Sequence, residues 1–291
     1  MNEHPPRIRL YAKGGPLLMH DGLSLTFYMR HPHAKIAAGV TRSMDAYLHA
    51  VGSGALSLYA DQDGYWQNLD DASWADLREE LRHPRSASIH LANDSADENR
   101  YEFKYRGRTL KPLPWEKDAS GHVSKVSFWL PTEYMEQHGP GRVRELALEL
   151  AAPLPFSSGH AGLSFNGHVP SGAEEQLHEL SMRYPGMDLP GHGLVSMELG
   201  TRVNGVHWLN FLGQPVLGEL GGAAGLRARL HSPGTTVQEL EGERVVVTLG
   251  PSPDAGDTEQ GRTLPAYREL ARVLEPWLYL TGSQWGRRFL D

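Results

Sequence analysis

The chain has 291 residues, 40% of them hydrophobic and 22% charged, a composition that can bury a substantial core and excludes wholesale disorder. It contains no cysteine and carries a formal net charge of −7, which excludes disulfides, thiolate zinc sites and a cysteine nucleophile together. The opening residues lack the apolar stretch of a signal peptide, and no apolar run approaches the roughly 20 residues of a membrane helix. A cytoplasmic protein with no membrane partner is expected.

In chain order, Leu23–Met29 alternates apolar and polar residues and predicts a strand. After Pro32, Ile36, Val40, Met44, Tyr47 and Val51 fall at helical spacing, with Gly52 as the stop. Leu56–Tyr59 predicts a short strand, and Ser73-Trp74-Ala75-Asp76 has the form of a capping box opening a short helix. Arg100–Tyr105 alternates like a half-exposed strand, with Gly107 turning the chain. Val123–Leu130 predicts a strand ended by Pro131, Val143–Leu150 a helix, and Gly162–Phe165 the next strand. Val206–Leu212 and Val245–Leu249 are further strands, and Leu264–Leu278 is an amphipathic helix kinked at Pro276. The expected fold is α+β, with repeated strand–helix–strand units around a mixed, largely antiparallel sheet. It is read as a single domain, or as two closely packed, pseudo-repeated halves (1–118 and 119–291).

Charge is concentrated. Asp61, Asp63, Asp70, Asp71, Asp76, Glu79, Glu80, Asp94, Asp97 and Glu98 fall within 40 residues that also hold four arginines. That segment therefore carries −6 of the net −7. The segment reads as a solvated face with flexible loops or as a focused negative patch that steers a basic partner, and on the second reading these ten acids are the candidate partner-binding residues. Direct nucleic-acid binding is disfavoured, since no basic stripe is present to neutralise phosphates.

Catalytic signatures are missing. No serine lies in a G-x-S-x-G elbow, and neither G-x-G-x-x-G, a P-loop nor H-E-x-x-H occurs. His31-Pro32-His33 reads as two surface histidines, and the acids of Pro253-Asp254-Ala255-Gly256-Asp257 as a turn. His160, among small residues, reads as a buried, hydrogen-bonded side chain. Asp94 followed by Glu102-x-Lys104 loosely matches a metal-dependent nuclease, whose carboxylates hold Mg²⁺ and whose lysine stabilises phosphate charge. An exposed Glu/Lys strand face explains those residues better. No catalytic residue, metal or cofactor is assigned.

Five stretches fit no catalytic template. They are Phe156–Leu163, Arg183–Asp188, Gly205–Gly213, Leu220-Gly221-Gly222 with Leu226-Arg227, and Thr248-Leu249-Gly250 followed by Gly256-Asp257. In this order the chain resembles the type VI secretion immunity family (TsiV-like) from about Leu23 to Leu280. The resemblance implies a non-enzymatic protein that binds a cognate type VI effector, a nuclease toxin with a basic cleft, and blocks its active or substrate-binding site. The other functions weighed are a metal-dependent hydrolase using Asp94, Glu102 and Lys104, and an adaptor that loads an effector without inhibiting it.

Overall fold

Leu23, Leu25, Phe27 and Met29 alternate with Ser24, Thr26 and Tyr28 along one long strand, the middle of an eleven-stranded sheet. The computed structural model describes residues 5–11, 15, 17–93, 101–112, 114–167, 174–189, 195–280 and 284–290. The first part of the chain runs β1 (Arg9–Tyr11), β2 (Leu17–Met29), α1 (His33–Val51), β3 (Leu58–Ala60), β4 (Trp66–Asn68), α2 (Asp71–Arg82), β5 (Ala87–Ala92) and β6 (Glu102–Gly107). The remainder runs β7 (Ser124–Pro131), α3 (Thr132–Ala151), β8 (Ser158–Gly167), α4 (Glu174–Arg183), α5 (Val195–Glu198), β9 (Leu209–Leu212), α6 (Val216–Glu219), α7 (Gly222–Arg227), β10 (Thr235–Leu240), β11 (Arg244–Leu249), α8 (Pro265–Leu274) and α9 (Gln284–Arg287).

The strand order is β10-β11-β9-β8-β2-β7-β6-β5-β3-β4, with β1 beside the start of β2. Among the described residues every pairing of these strands is antiparallel, and parallel contacts occur only at isolated bridges such as Ser164 with Asp188. The α+β reading holds. The strand–helix–strand pattern does recur, as β2–α1–β3 and β7–α3–β8, but the crossovers differ. The first spans three intervening strands and the second only one, so the two units do not trace the same path.

The two faces of the sheet differ chemically. On one, Leu25, Phe27, Phe103, Val126, Phe128 and Phe211 pack beneath α1, α2 and α3 in the main core. Phe27 meets Phe211 edge-on at 5.1 Å. Gly39 of α1 lies against the chain after α3, where a Cβ would sit 2.4 Å from the Pro153 carbonyl oxygen. The other face is polar. Asn210, His160, Thr26, Ser127, Lys104 and His90 are successive cross-strand neighbours over six strands. Such groups are tolerable inside only when bonded, and Thr26 and Ser127 join hydroxyls at 2.9 Å.

Several local expectations are corrected. Helix α2 begins at Asp71, not at a Ser73 cap, because Asp70 is the N-cap and accepts from the Ser73 N–H and hydroxyl. Gly107 belongs to β6 and forms no turn. Helix α3 starts at Thr132 and is kinked at Gly139–Pro140. The last long helix ends at Leu274 and passes into a 3₁₀ turn at Glu275–Trp277, because Pro276 cannot supply a backbone donor. His33 is no surface histidine. It is buried, with Nδ1 2.8 Å from the Tyr105 hydroxyl, whereas His31 is exposed.

Candidate functional site

Residues from the first three of the sequence stretches singled out above, His160, Asp188 and His207, meet on the polar face of the sheet. His160 stands on β8, Asp188 sits in the turn after α4, and His207 precedes β9. The Asp188 turn is stitched to β8 by Asp188 N–H to the Leu163 carbonyl and Phe165 N–H to the Asp188 carbonyl. His160 Nε2 lies 3.1 Å from Asp188 Oδ2, and His207 stacks on His160 with ring centroids 3.9 Å apart and 17° between planes. His207 Nε2 donates to the Asn204 carbonyl at 3.0 Å. Asn204 donates in turn to the Tyr28 hydroxyl, while Asn210 bridges the His207 backbone. Buried Arg288 closes the network, donating from Nε to the Pro185 carbonyl. Trp208 Nε1 reaches the Gly250 carbonyl, tying in the last stretch.

Burial alone would raise the Asp188 carboxyl. The His160 and His207 imidazoles and the Arg288 guanidinium outweigh it and hold that carboxyl at about 2. Burial pushes His207 down to about 3, so this imidazole is neutral, and pushes Arg288 down to about 9. His160, Asp188 and His207 have ligand atoms within 4.8 Å of one another. They nevertheless fit an ion poorly. His207 Nε2 is committed to a carbonyl, and two nearly parallel rings aim their in-plane lone pairs along separate planes. All three residues are at most 4% exposed, so no substrate reaches them. The network is a hydrogen-bonded core that pins residues 185–188 and 204–210 to the sheet, and His160 is buried and bonded as expected. The Asp254–Asp257 segment is a turn, with each carboxylate accepting backbone N–H groups.

The predicted acids lie at the opposite edge of the sheet. Asp61 and Asp63 are in the β3–β4 turn, and Asp70 to Glu80 belong to α2 and its cap. Asp94, Asp97 and Glu98 lie outside the described residues. Three of the acids have local structural work. Asp61 accepts from the Gln67 side chain and the N–H groups of Tyr65 and Asp63, which lower its carboxyl. Asp70 caps α2, the Ser73 N–H and hydroxyl lowering its carboxyl. Glu80 accepts from the Ser88 N–H. Glu79 pairs with Arg82 on the surface, while Asp63, Asp71 and Asp76 are exposed and form no ion pair among the described residues. Beside them stand two aromatics that the sequence reading missed, Tyr65 at 70% and Trp66 at 43% exposure. Trp66 sits edge-on to His90 at 4.6 Å. Asp61, Asp76 and Glu80 also form one wall of a 1030 Å³ groove whose other wall carries Arg106, Arg108 and Lys111.

Glu102 and Lys104 share the polar face, but they pair with each other. Glu102 is buried, and Lys104 Nζ lies 2.6 Å from it while His90 also bonds it. Burial raises its carboxyl, yet Lys104 and His90 together hold it below the usual range. An alternating exposed Glu/Lys face is therefore corrected: the glutamate is inside, in an ion cluster capped by Trp129, over whose ring Lys104 Nζ lies at 4.4 Å.

Residues 39–289 match the TsiV family, described as type VI immunity for VRR-NUC. Among solved structures, the fold is similar to that of the Pseudomonas aeruginosa T6SS protein PA0821, with a TM-score of 0.77 and 20% identity over 97% of this chain and 87% of that one. No curated protein sequence matches. No helix among the described residues is long and apolar enough to cross a membrane.

Proposed function

The chain belongs to the TsiV family, type VI immunity for VRR-NUC, and we propose that it neutralises a cognate VRR-NUC effector by covering its active or substrate-binding site. A nuclease cleft must attract phosphate and is therefore basic. An acidic surface with aromatic anchors is complementary to such a cleft. The observation that carries this reading is the occurrence of exposed Tyr65 and Trp66 at the same edge of the sheet as the exposed carboxylates of Asp63, Asp71 and Asp76, which form no ion pair among the described residues. Charge there speeds encounter, while a desolvated aromatic slows release. The action is binding without catalysis, in the cytoplasm where the nuclease meets its substrate, and it needs no cofactor.

Co-expression tests the proposal. Cells producing the effector nuclease survive when this chain is produced with it, and the two proteins purify as a 1:1 complex. Equal killing with and without the chain overturns the reading. A complex that retains full nuclease activity identifies an adaptor instead.

A further inference from the structure

The polar face carries two neighbouring cations that form no ion pair among the described residues. Ser88, Arg106, Lys125 and Tyr28 are successive cross-strand neighbours on β5, β6, β7 and β2, so Arg106 stands directly opposite Lys125. Like charges in that position oppose folding. In the adjacent row Lys104 is matched by Glu102, but among the described residues neither Arg106 nor Lys125 forms an ion pair or a side-chain hydrogen bond. The ammonium of Lys125 lies 5.9 Å from the Tyr28 ring. Burial lowers this lysine to about 8, Lys104 adding to the shift and the more distant charges of Asp188 and Glu102 opposing it. A groove of 270 Å³ opens over these groups, bounded by Ser88, His90, Lys104, Arg106, Lys125 and, from α5, Ser196. Arg108 donates to the Ser196 hydroxyl at 3.2 Å and adds a third cation at its margin.

We propose that this groove between β5–β7 and α5 binds a small phosphate-bearing anion, held by Arg106 and Lys125. The donor set favours phosphate over a carboxylate. Arg106 offers a planar fork and Lys125 a point charge from the next strand, and the exposed Ser88 hydroxyl stands beside Arg106. A tetrahedral dianion can meet donors from several directions and balances two cations. A planar monoanion satisfies the fork and leaves one charge over. The proposal does not rest on the effector reading.

Inorganic phosphate titrated into the full chain in chloride buffer, followed by calorimetry and by the phosphorus resonance, tests the site, with acetate as the carboxylate probe. Saturable phosphate binding is expected, at least tenfold weaker in Lys125→Met and in Arg106→Gln and retained in Lys125→Arg. Phosphate should also raise the melting temperature of the wild type and not that of Lys125→Met. Lys125→Met removes a half-buried cation that has no ion pair among the described residues, so the variant should fold, which circular dichroism checks. Absence of saturable binding, affinity unchanged in both charge-removing variants, or acetate binding as tightly as phosphate would each overturn the proposal.

Discussion

His160 Nε2 lies 3.1 Å from Asp188 Oδ2, joining a central strand to the turn after α4 inside a shell from which solvent is excluded. Among the described residues Asp188 is the single carboxylate in contact with both His160 and His207, and Arg288 senses its charge. Asp188→Ala removes the buried carboxylate that His160 contacts and whose charge acts on Arg288. Breaking buried pairs of this kind costs about 3–5 kcal/mol, and urea unfolding should report a loss of that order. Asp188→Asn keeps the hydrogen bond to His160 and should lose less.

Stability should fall on acidification in two stages. His207 has a folded value of about 3 against an ordinary 6.5. Between these values the unfolded chain binds the proton and the native chain does not, so stability is present above pH 6.5 and drains as pH falls toward 3. The limiting slope is about 1.4 kcal/mol per pH unit. Asp188, depressed from 3.8 to about 2, adds stability that is complete above its unfolded value and lost as pH drops through about 2. Unfolding free energies measured from pH 7 to 4 should show the first slope, and His207→Gln should flatten it.

Two glycines are required by close approach. A Cβ on Gly186 would lie 2.0 Å from the Asp254 carbonyl oxygen, and one on Gly39 would lie 2.4 Å from that of Pro153. Both obstacles are backbone, which cannot swing aside. Gly39→Ala and Gly186→Ala should each destabilise by about 1–3 kcal/mol, although alanine is the better helix former at Gly39. Thermal unfolding decides the matter, and an unchanged midpoint for Gly39→Ala would contradict the packing of α1 against the 153 segment.

At the acidic edge, Asp63, Asp71 and Asp76 are the residues to reverse, because Asp61, Asp70 and Glu80 hold backbone groups. The triple lysine variant should fold normally and associate with the effector roughly 10–10³-fold more slowly at low salt, the difference shrinking as salt is added. Tyr65→Ala should leave association unchanged and speed dissociation, since aromatic anchors act after encounter. Stopped-flow association and surface-plasmon dissociation traces separate the two effects.

The apolar half of this fold was legible because periodicity reports burial. The strands at Leu23, Val123 and Val245 and the helices at Ile36, Val143 and Leu264 all announce themselves through spaced Leu, Val, Phe and Tyr. Strands β4, β5 and β10 do not. Trp66-Gln67-Asn68 is wholly exposed and β10 is nowhere buried, so edge pairing and not hydrophobicity makes these two strands, while β5 is an interior strand that mixes Ser88 and His90 with Ile89 and Leu91 and so hides its period. The polar network escaped for a related reason. His160, Asp188 and His207 are separated by tens of residues, and only the sheet register and the turn after α4 bring them together. The acidic segment was visible as a run of charge, but the division between capping acids and free acids needed coordinates. Tyr65 and Trp66 could have been flagged as adjacent aromatics within an otherwise polar hairpin.

The central claim is stoichiometric neutralisation. Its most direct measurement is DNA cleavage by the purified VRR-NUC effector domain as this chain is titrated in. The account predicts a linear fall to zero activity at one equivalent, with a shallower approach for the Asp63, Asp71 and Asp76 reversal. Undiminished cleavage at a several-fold excess of the chain would contradict it.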